Sequence, residues 1–191
     1  MIEVRERLRQ EALQRRDAVP SHLQIAFSHL IRSSVLSIID EYSVKKVHCY
    51  LSFRSEVDTT GLLHALSKDR TEIVAPVLEK QGNEVIMHHY PFTTAITTGL
   101  YGIPEPVKTI PDNLEGLAMV ILPIVAFDGF GTRLGYGKGF YDKFLAALPT
   151  EVLRLGLAYS VQECDEIPRL AHDQQLDMIV TEQSVVRIAR A

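Results

Sequence analysis

The residues best equipped for chemistry crowd into one segment, AFDGFGTRLGYGKGFYD, residues 126 to 142. Gly131, Gly135, Gly137 and Gly139 permit positive φ and leave no Cβ between main-chain N–H groups and an approaching anion. Arg133 and Lys138 add cationic donors. The segment runs into FYDKFLAAL, an amphipathic stretch whose first-turn amides lack intrahelical partners and whose N-terminal end favours negative charge. Together these features predict a phosphate or polyphosphate site. The segment is not a Walker loop, because Thr132 stands five residues before Gly137 and no Ser or Thr follows Lys138; nor has GYGKG the dinucleotide spacing. A glycine cluster between strand and helix often does no more than connect them. Here Arg133, Tyr136, Lys138, Tyr141 and Asp142 fall within ten residues and are costly to order without a ligand, which favours binding. Asp142, in the first helical turn, complements the dipole or offers an oxygen to Mg²⁺ beside a phosphate.

Other candidates are weaker by themselves. Arg5 and Arg9 lie one helical turn apart and can face one phosphate, although a helix that also carries Glu6 and Glu11 is ordinarily a solvated surface. Glu56 lies just beyond an expected strand, where α/β sheets place ligands; alone it reads as a solvated residue before a helix cap. Leu51 alone reads as core, as do Phe140, Phe144 and Leu148, and Tyr136 as either packing or site. His88 and His89 point to opposite faces of a strand and cannot chelate one ion, and His172 beside Asp173 reads as a loop residue. Zinc is not expected, and neither H-E-x-x-H nor G-x-S-x-G occurs.

The elements that must position these residues alternate along the chain. Val4, Leu8 and Ala12 recur at helical spacing, and a second helix is expected from about Ser21 to Tyr42. VHCYLSF, residues 47 to 53, reads as a buried strand, and Asp58 is placed to cap a helix carrying Leu62, Leu63 and Leu66. TEIVAPVL and NEVIMHHY are strands separated by the turn-prone Gln81-Gly82-Asn83; YGIPEPV should be ordered loop. LAMVILP, LRLGLAYS and LDMIVTE complete the strand set, and FYDKFLAAL stops before Pro149. Continuous apolar strands alternating with helices predict an α/β fold: a three-layer domain with a mostly parallel sheet flanked by helices. Neither a repeat nor a linker divides the chain, so residues 1 to 191 are expected to form one domain, with an N-terminal helical arm within the first 40.

Composition narrows the classes. With 46% hydrophobic and 23% charged residues the chain should fold, and a net charge of −4 gives no footprint for nucleic acid or an anionic membrane. Cys49 and Cys164 form no C-x-x-C pair, which fits a reducing cytosol. The charged start MIEVRERLRQEALQRR lacks a secretory apolar stretch, and no apolar run is long enough to span a bilayer, so a cytoplasmic location is expected.

The segment FDGFGTRLGYGKGFYDKFL resembles the signature of the 5-formyltetrahydrofolate cyclo-ligase family, also called methenyltetrahydrofolate synthetases. The basic first helix, CYLSFRSEVDT, YGIPEPV and AHDQQLDMIVTE extend the resemblance in order over nearly the whole chain. It implies conversion of 5-formyltetrahydrofolate to 5,10-methenyltetrahydrofolate with ATP and Mg²⁺, releasing ADP and phosphate. By position, it implies ATP contacts over Arg5 to Arg9 and at Arg133, Leu134, Gly135, Tyr136, Gly137, Lys138, Gly139, Phe140 and Tyr141. It further implies folate contacts at Leu51, Glu56 and Tyr136, metal contacts at Asp142 and Asp173, and phosphoryl stabilisation by Arg133 and Lys138. Arg5 departs from the family's usual lysine, and an arginine fork is not a lysine point charge. A binding relative without turnover and an enzyme of a sugar phosphate or acyl-CoA on a similar fold remain open, and ATP dependence separates them. The expected partner is the small-molecule folate alone, with no nucleic acid or membrane, on a monomer.

Overall fold

A computed structural model describes residues 1–189. Helices α1 (Ile2–Asp17) and α2 (Ser21–Glu41) precede strand β1 (Lys46–Cys49) and α3 (Thr60–Lys68). Strands β2 (Glu72–Gln81) and β3 (Glu84–Pro91) form a hairpin, and β4 (Ile96–Thr98) and β5 (Pro104–Pro106) a smaller one. Then come β6 (Met119–Pro123), β7 (Ala126–Phe127), β8 (Arg133–Leu134), α4 (Phe140–Ala146), β9 (Leu153–Leu157), β10 (Met178–Val180) and β11 (Val185–Arg187). The central sheet has the order β11-β10-β9-β6-β1-β2-β3. Its five inner strands run parallel, and β3 and β11 close the two edges antiparallel.

Side-chain alternation splits the apolar strands between two cores, giving three layers. Met119 and Ile121 of β6 face one way, with Ile31, Val35 and Ile38 of α2 and Leu62 and Leu66 of α3. Val120 and Leu122 face the other way, with Phe144 and Leu145 of α4. His48 of β1 shares this second face, its ring 4.8 Å from that of Phe144, while the flanking Val47 and Cys49 join the first core. Of the two opening helices only α1 behaves as an arm; α2 is a layer of the core.

Three local expectations change. β1 ends at Cys49 rather than running to residue 53, because side chains take over the next backbone donors: Ser52 N–H goes to Thr59 Oγ1 (3.1 Å) and Phe53 N–H to Glu56 Oε2 (2.8 Å). The chain thus peels away at the carboxyl end of the sheet, where a cleft begins. YGIPEPV is not plain loop; it holds a 3₁₀ turn, Leu100–Gly102, and strand β5. The N-cap of α3 is Thr59, one residue past the expected Asp58, whose Oδ1 accepts the Thr60 N–H at 3.0 Å. Among the described residues no helix is long and apolar enough to cross a membrane.

Candidate active site

The glycine segment is built on a rigid base. β7 and β8 pair antiparallel, and the buried Asp128 ties the turn between them: Oδ1 accepts the N–H groups of Phe130 (3.0 Å) and Thr132 (2.9 Å), and Oδ2 that of Ile167 (3.0 Å). Beyond β8 the chain emerges, and residues 135 to 138 are exposed. Gly137 (φ 88°) and Gly139 (φ 68°, the N-cap of α4) take the left-handed backbone that this exit requires. α4 has seven residues, so it offers unpaired first-turn amides more than a large dipole. Lys138 makes no hydrogen bond or ion pair within the described residues and stands free at the lip.

Helix α1 lies across this loop and presents Arg5, Arg9, Ala12 and Arg16 on one face, spaced at whole turns. Arg9 Nε donates to the Gly135 carbonyl at 2.8 Å, and its Nη1 pairs with Glu6. Arg5 grips Asp173 with both terminal nitrogens, at 2.5 and 2.9 Å, and also donates to the Pro168 carbonyl at 2.7 Å. Two parallel N–H···O bonds to one carboxylate need a planar fork; a lysine ammonium, a single nitrogen, could not reproduce that side-by-side grip. Burial alone would raise the Asp173 carboxyl, but hydrogen bonds from Arg5 and the Leu170 N–H prevail and hold it below the usual range.

Arg133 is nearly enclosed and donates to Asp142 Oδ1 at 2.9 Å and to the Gln174 carbonyl. Oδ1 of Asp142 also receives the Gln174 N–H, while Oδ2 has no hydrogen bond among the described residues and the side chain is partly open to the cleft. That free oxygen suits a cation such as Mg²⁺, which takes one or two carboxylates and completes its shell with water or phosphate oxygens. Asp173 differs: both its oxygens are already held by Arg5 and Leu170. No cluster of three or more His, Cys, Asp and Glu gathers for a metal among the described residues.

At the other end, Glu56 is 8% exposed, with its carboxyl pushed up to about 7. Burial is the cause, opposed by the Phe53 N–H, by the Arg16 charge and by the Tyr136 hydroxyl. Tyr136 reaches back from the glycine loop, and its hydroxyl accepts from Arg16 Nη2 at 2.9 Å. Leu51 is buried and forms cleft wall.

One cleft of about 490 Å³ joins these two ends. Arg5, Arg9, Arg133 and the loop from Gly135 to Asp142 line it together with Leu51, Glu56 and Asp173. Leu134 alone among the expected residues does not; its side chain is core, packed with Ala12, Ala126 and Ile167, because alternation along β8 turns it inward where Arg133 turns out. Phe140 and Leu148 are half-buried rather than core, and Phe140 joins the cleft wall. His88 and His89 do diverge: His89 stacks on Phe144 at 4.2 Å, and His88 lies 3.8 Å from Glu79. Sequence reasoning missed the apolar wall from Pro76, Leu78 and Met87, whose strand pattern carries no functional mark, and it missed Arg16.

A parallel sheet covered on both faces, with a cation-rich glycine loop and a two-ended cleft at the carboxyl ends of its strands, defines an α/β enzyme with an anion-receptive site. The family model for the 5-formyltetrahydrofolate cyclo-ligase family matches residues 1–182, and the chain belongs to that family. It is 30% identical over 142 residues to the 5-formyltetrahydrofolate cyclo-ligase of Haemophilus influenzae, covering 72% of this chain and 76% of that protein. With the Escherichia coli K12 cyclo-ligase it shares 29% identity, over 90% of this chain and 97% of that one. Among solved structures, the NMR structure of Aquifex aeolicus 5,10-methenyltetrahydrofolate synthetase superposes with a TM-score of 0.82 at 32% identity, covering 98% of this chain and 94% of that one.

Proposed function

We propose that the protein converts 5-formyltetrahydrofolate to 5,10-methenyltetrahydrofolate with ATP and Mg²⁺, releasing ADP and phosphate. The observation that carries this reading is the shared cleft: cations and glycine amides line one end and Glu56 with Leu51 the other, so two small molecules can meet in one space. An N-formyl group is amide-like, and its oxygen leaves poorly. ATP supplies the phosphoryl group that makes that oxygen a phosphate leaving group, with Mg²⁺ screening the charge.

The chain's own task is alignment and charge stabilisation. Lys138, free at the loop, follows the phosphoryl group during transfer, and Arg133, braced by Asp142 and Gln174, is a fixed cation behind it. Arg5 and Arg9 approach the polyphosphate from α1, with the loop backbone from Leu134 to Tyr141 beneath it. Asp142 would hold Mg²⁺ through its free oxygen, and Asp173 would serve as a second carboxylate if Arg5 released it to phosphate; the ion would supply charge neutralisation there. At the far end Glu56 accepts an N–H of the pterin, Leu51 packs on the ring face and Tyr136 closes over it. Ring closure by the second folate nitrogen then expels phosphate, which carries off the proton that nitrogen loses, and no side chain needs to form a covalent bond. The reading takes the chain as one cytoplasmic domain acting as a monomer, without nucleic-acid or membrane partners.

The test is methenyltetrahydrofolate absorbance from 5-formyltetrahydrofolate and Mg²⁺, with and without ATP, on the wild type and on Arg133→Ala and Asp142→Asn. ATP-dependent product that both substitutions abolish is expected. Product formed equally without ATP, or none from folded wild type, would sink the assignment.

A further inference from the structure

Arg16 is 1% exposed, yet among the described residues its one ion pair is long and solvent-facing. Its nearest carboxylate is Asp17, at 3.8 Å and largely in solvent. Nε donates to Ser55 Oγ at 3.0 Å and Nη2 to the Tyr136 hydroxyl at 2.9 Å, while buried Nη1 has no hydrogen-bond partner among the described residues. Burying a guanidinium so incompletely satisfied is costly, and an apolar residue of similar size would suit the fold better. Something other than stability therefore accounts for the charge. What it reaches is the folate end of the cleft: Ser55 precedes Glu56, and Tyr136 stands over it.

We propose that Arg16 is a positioning residue for the folate end of the cleft, fixing Tyr136 and the Ser55 turn and keeping a positive charge behind Glu56. This rests on the reading of Glu56 and Tyr136 as substrate contacts. The groups facing Glu56 are Arg16 from α1, Tyr136 from the glycine loop, Tyr141 from α4 and Tyr50 beyond β1. Arg16 is the cation of that set. The three phenols stay neutral near pH 7, so Arg16 is the one charge of the set that favours the carboxylate over the carboxylic acid, and the Tyr136 hydroxyl adds a hydrogen bond in the same direction. Arg16 does not itself line the cleft, and it acts through the two residues that do.

The test has a spectroscopic and a kinetic arm, using Arg16→Met, Arg16→Lys and Tyr136→Phe. With ¹³C-labelled glutamate, the Glu56 titration followed by NMR should move upward from about 7 in Arg16→Met and stay near the wild-type value in Arg16→Lys. The acid limb of kcat/KM against pH should move with it. KM for 5-formyltetrahydrofolate should rise about tenfold in Arg16→Met, the equivalent of one charged hydrogen bond, with KM for ATP changed less than about twofold and Arg16→Lys restoring most of the loss. Tyr136→Phe, which removes only a hydroxyl at an exposed side chain, should raise the folate KM about threefold as an order of magnitude. It also keeps the inference testable if Arg16→Met fails to fold. Unchanged Glu56 titration and unchanged folate KM, with only thermal stability lowered, would overturn the inference. If wild type gives no methenyl product, the assigned reaction fails, and the NMR arm still decides whether Arg16 governs Glu56.

Discussion

Replacing Glu56 with glutamine should flatten the dependence of stability on pH. The carboxyl ordinarily titrates at 4.5 and is raised to about 7 in the folded protein by burial. Between those values the native state keeps a proton that the unfolded chain has lost, so stability falls as pH rises from about 4.5 and levels off above about 7. The full span corresponds to about 3 kcal/mol at 1.36 kcal/mol per pH unit, and the part lying between pH 5 and pH 8 to about 2.5 kcal/mol. Because the residue is 8% exposed, solvent screening takes little from this figure. Glutamine stands for the protonated form at every pH, and its carbonyl can still accept the Phe53 N–H. Urea unfolding of both proteins at pH 5 and pH 8 measures the difference directly, and all other titrating groups cancel in it. With a slope of about 2 kcal/mol per molar urea, the wild-type midpoint should fall about 1 M further than the variant's across that range. Parallel pH profiles for the two proteins would refute the argument that burial raises the Glu56 carboxyl.

Arg5→Lys should cost about 1 kcal/mol at pH 7 by losing the two-pronged grip on Asp173. The depressed Asp173 titration contributes stability above its unfolded value, so the gap between wild type and variant should close as pH falls through the carboxylate range, as read by urea unfolding. Gly137→Ala forces a side chain into φ 88° and should lose about 1–2 kcal/mol. Gly135→Ala, where φ is ordinary and a Cβ meets open space, should be nearly neutral, and equal losses at the two sites would contradict the loop geometry. Chelation with EDTA should stop ATP-dependent turnover of the wild type and added Mg²⁺ restore it, whereas added Mg²⁺ should not rescue Asp142→Asn.

Much of the architecture was legible because apolar runs such as Met119–Pro123 can be satisfied only by a sheet covered on both faces, and the Gly82-Asn83 turn announces its hairpin. The glycine loop was legible for a related reason: Gly137 and Gly139 mark backbone that other residues resist, and the cations stand within the same short segment. Family resemblance, not local chemistry, picked out Leu51 and Glu56. What stayed hidden depended on contacts between residues far apart in the chain. The sequence determined that Arg5 and Asp173 were both charged, but not that 168 positions of separation would end in a bidentate pair that leaves Asp142 the carboxylate with an open oxygen. It showed Arg16 as one more cation on a charged helix. Only the packing of α1 across the glycine loop drew that side chain out of water and set it behind Glu56, because desolvation and close electrostatic contact are properties of the folded arrangement and not of residue type.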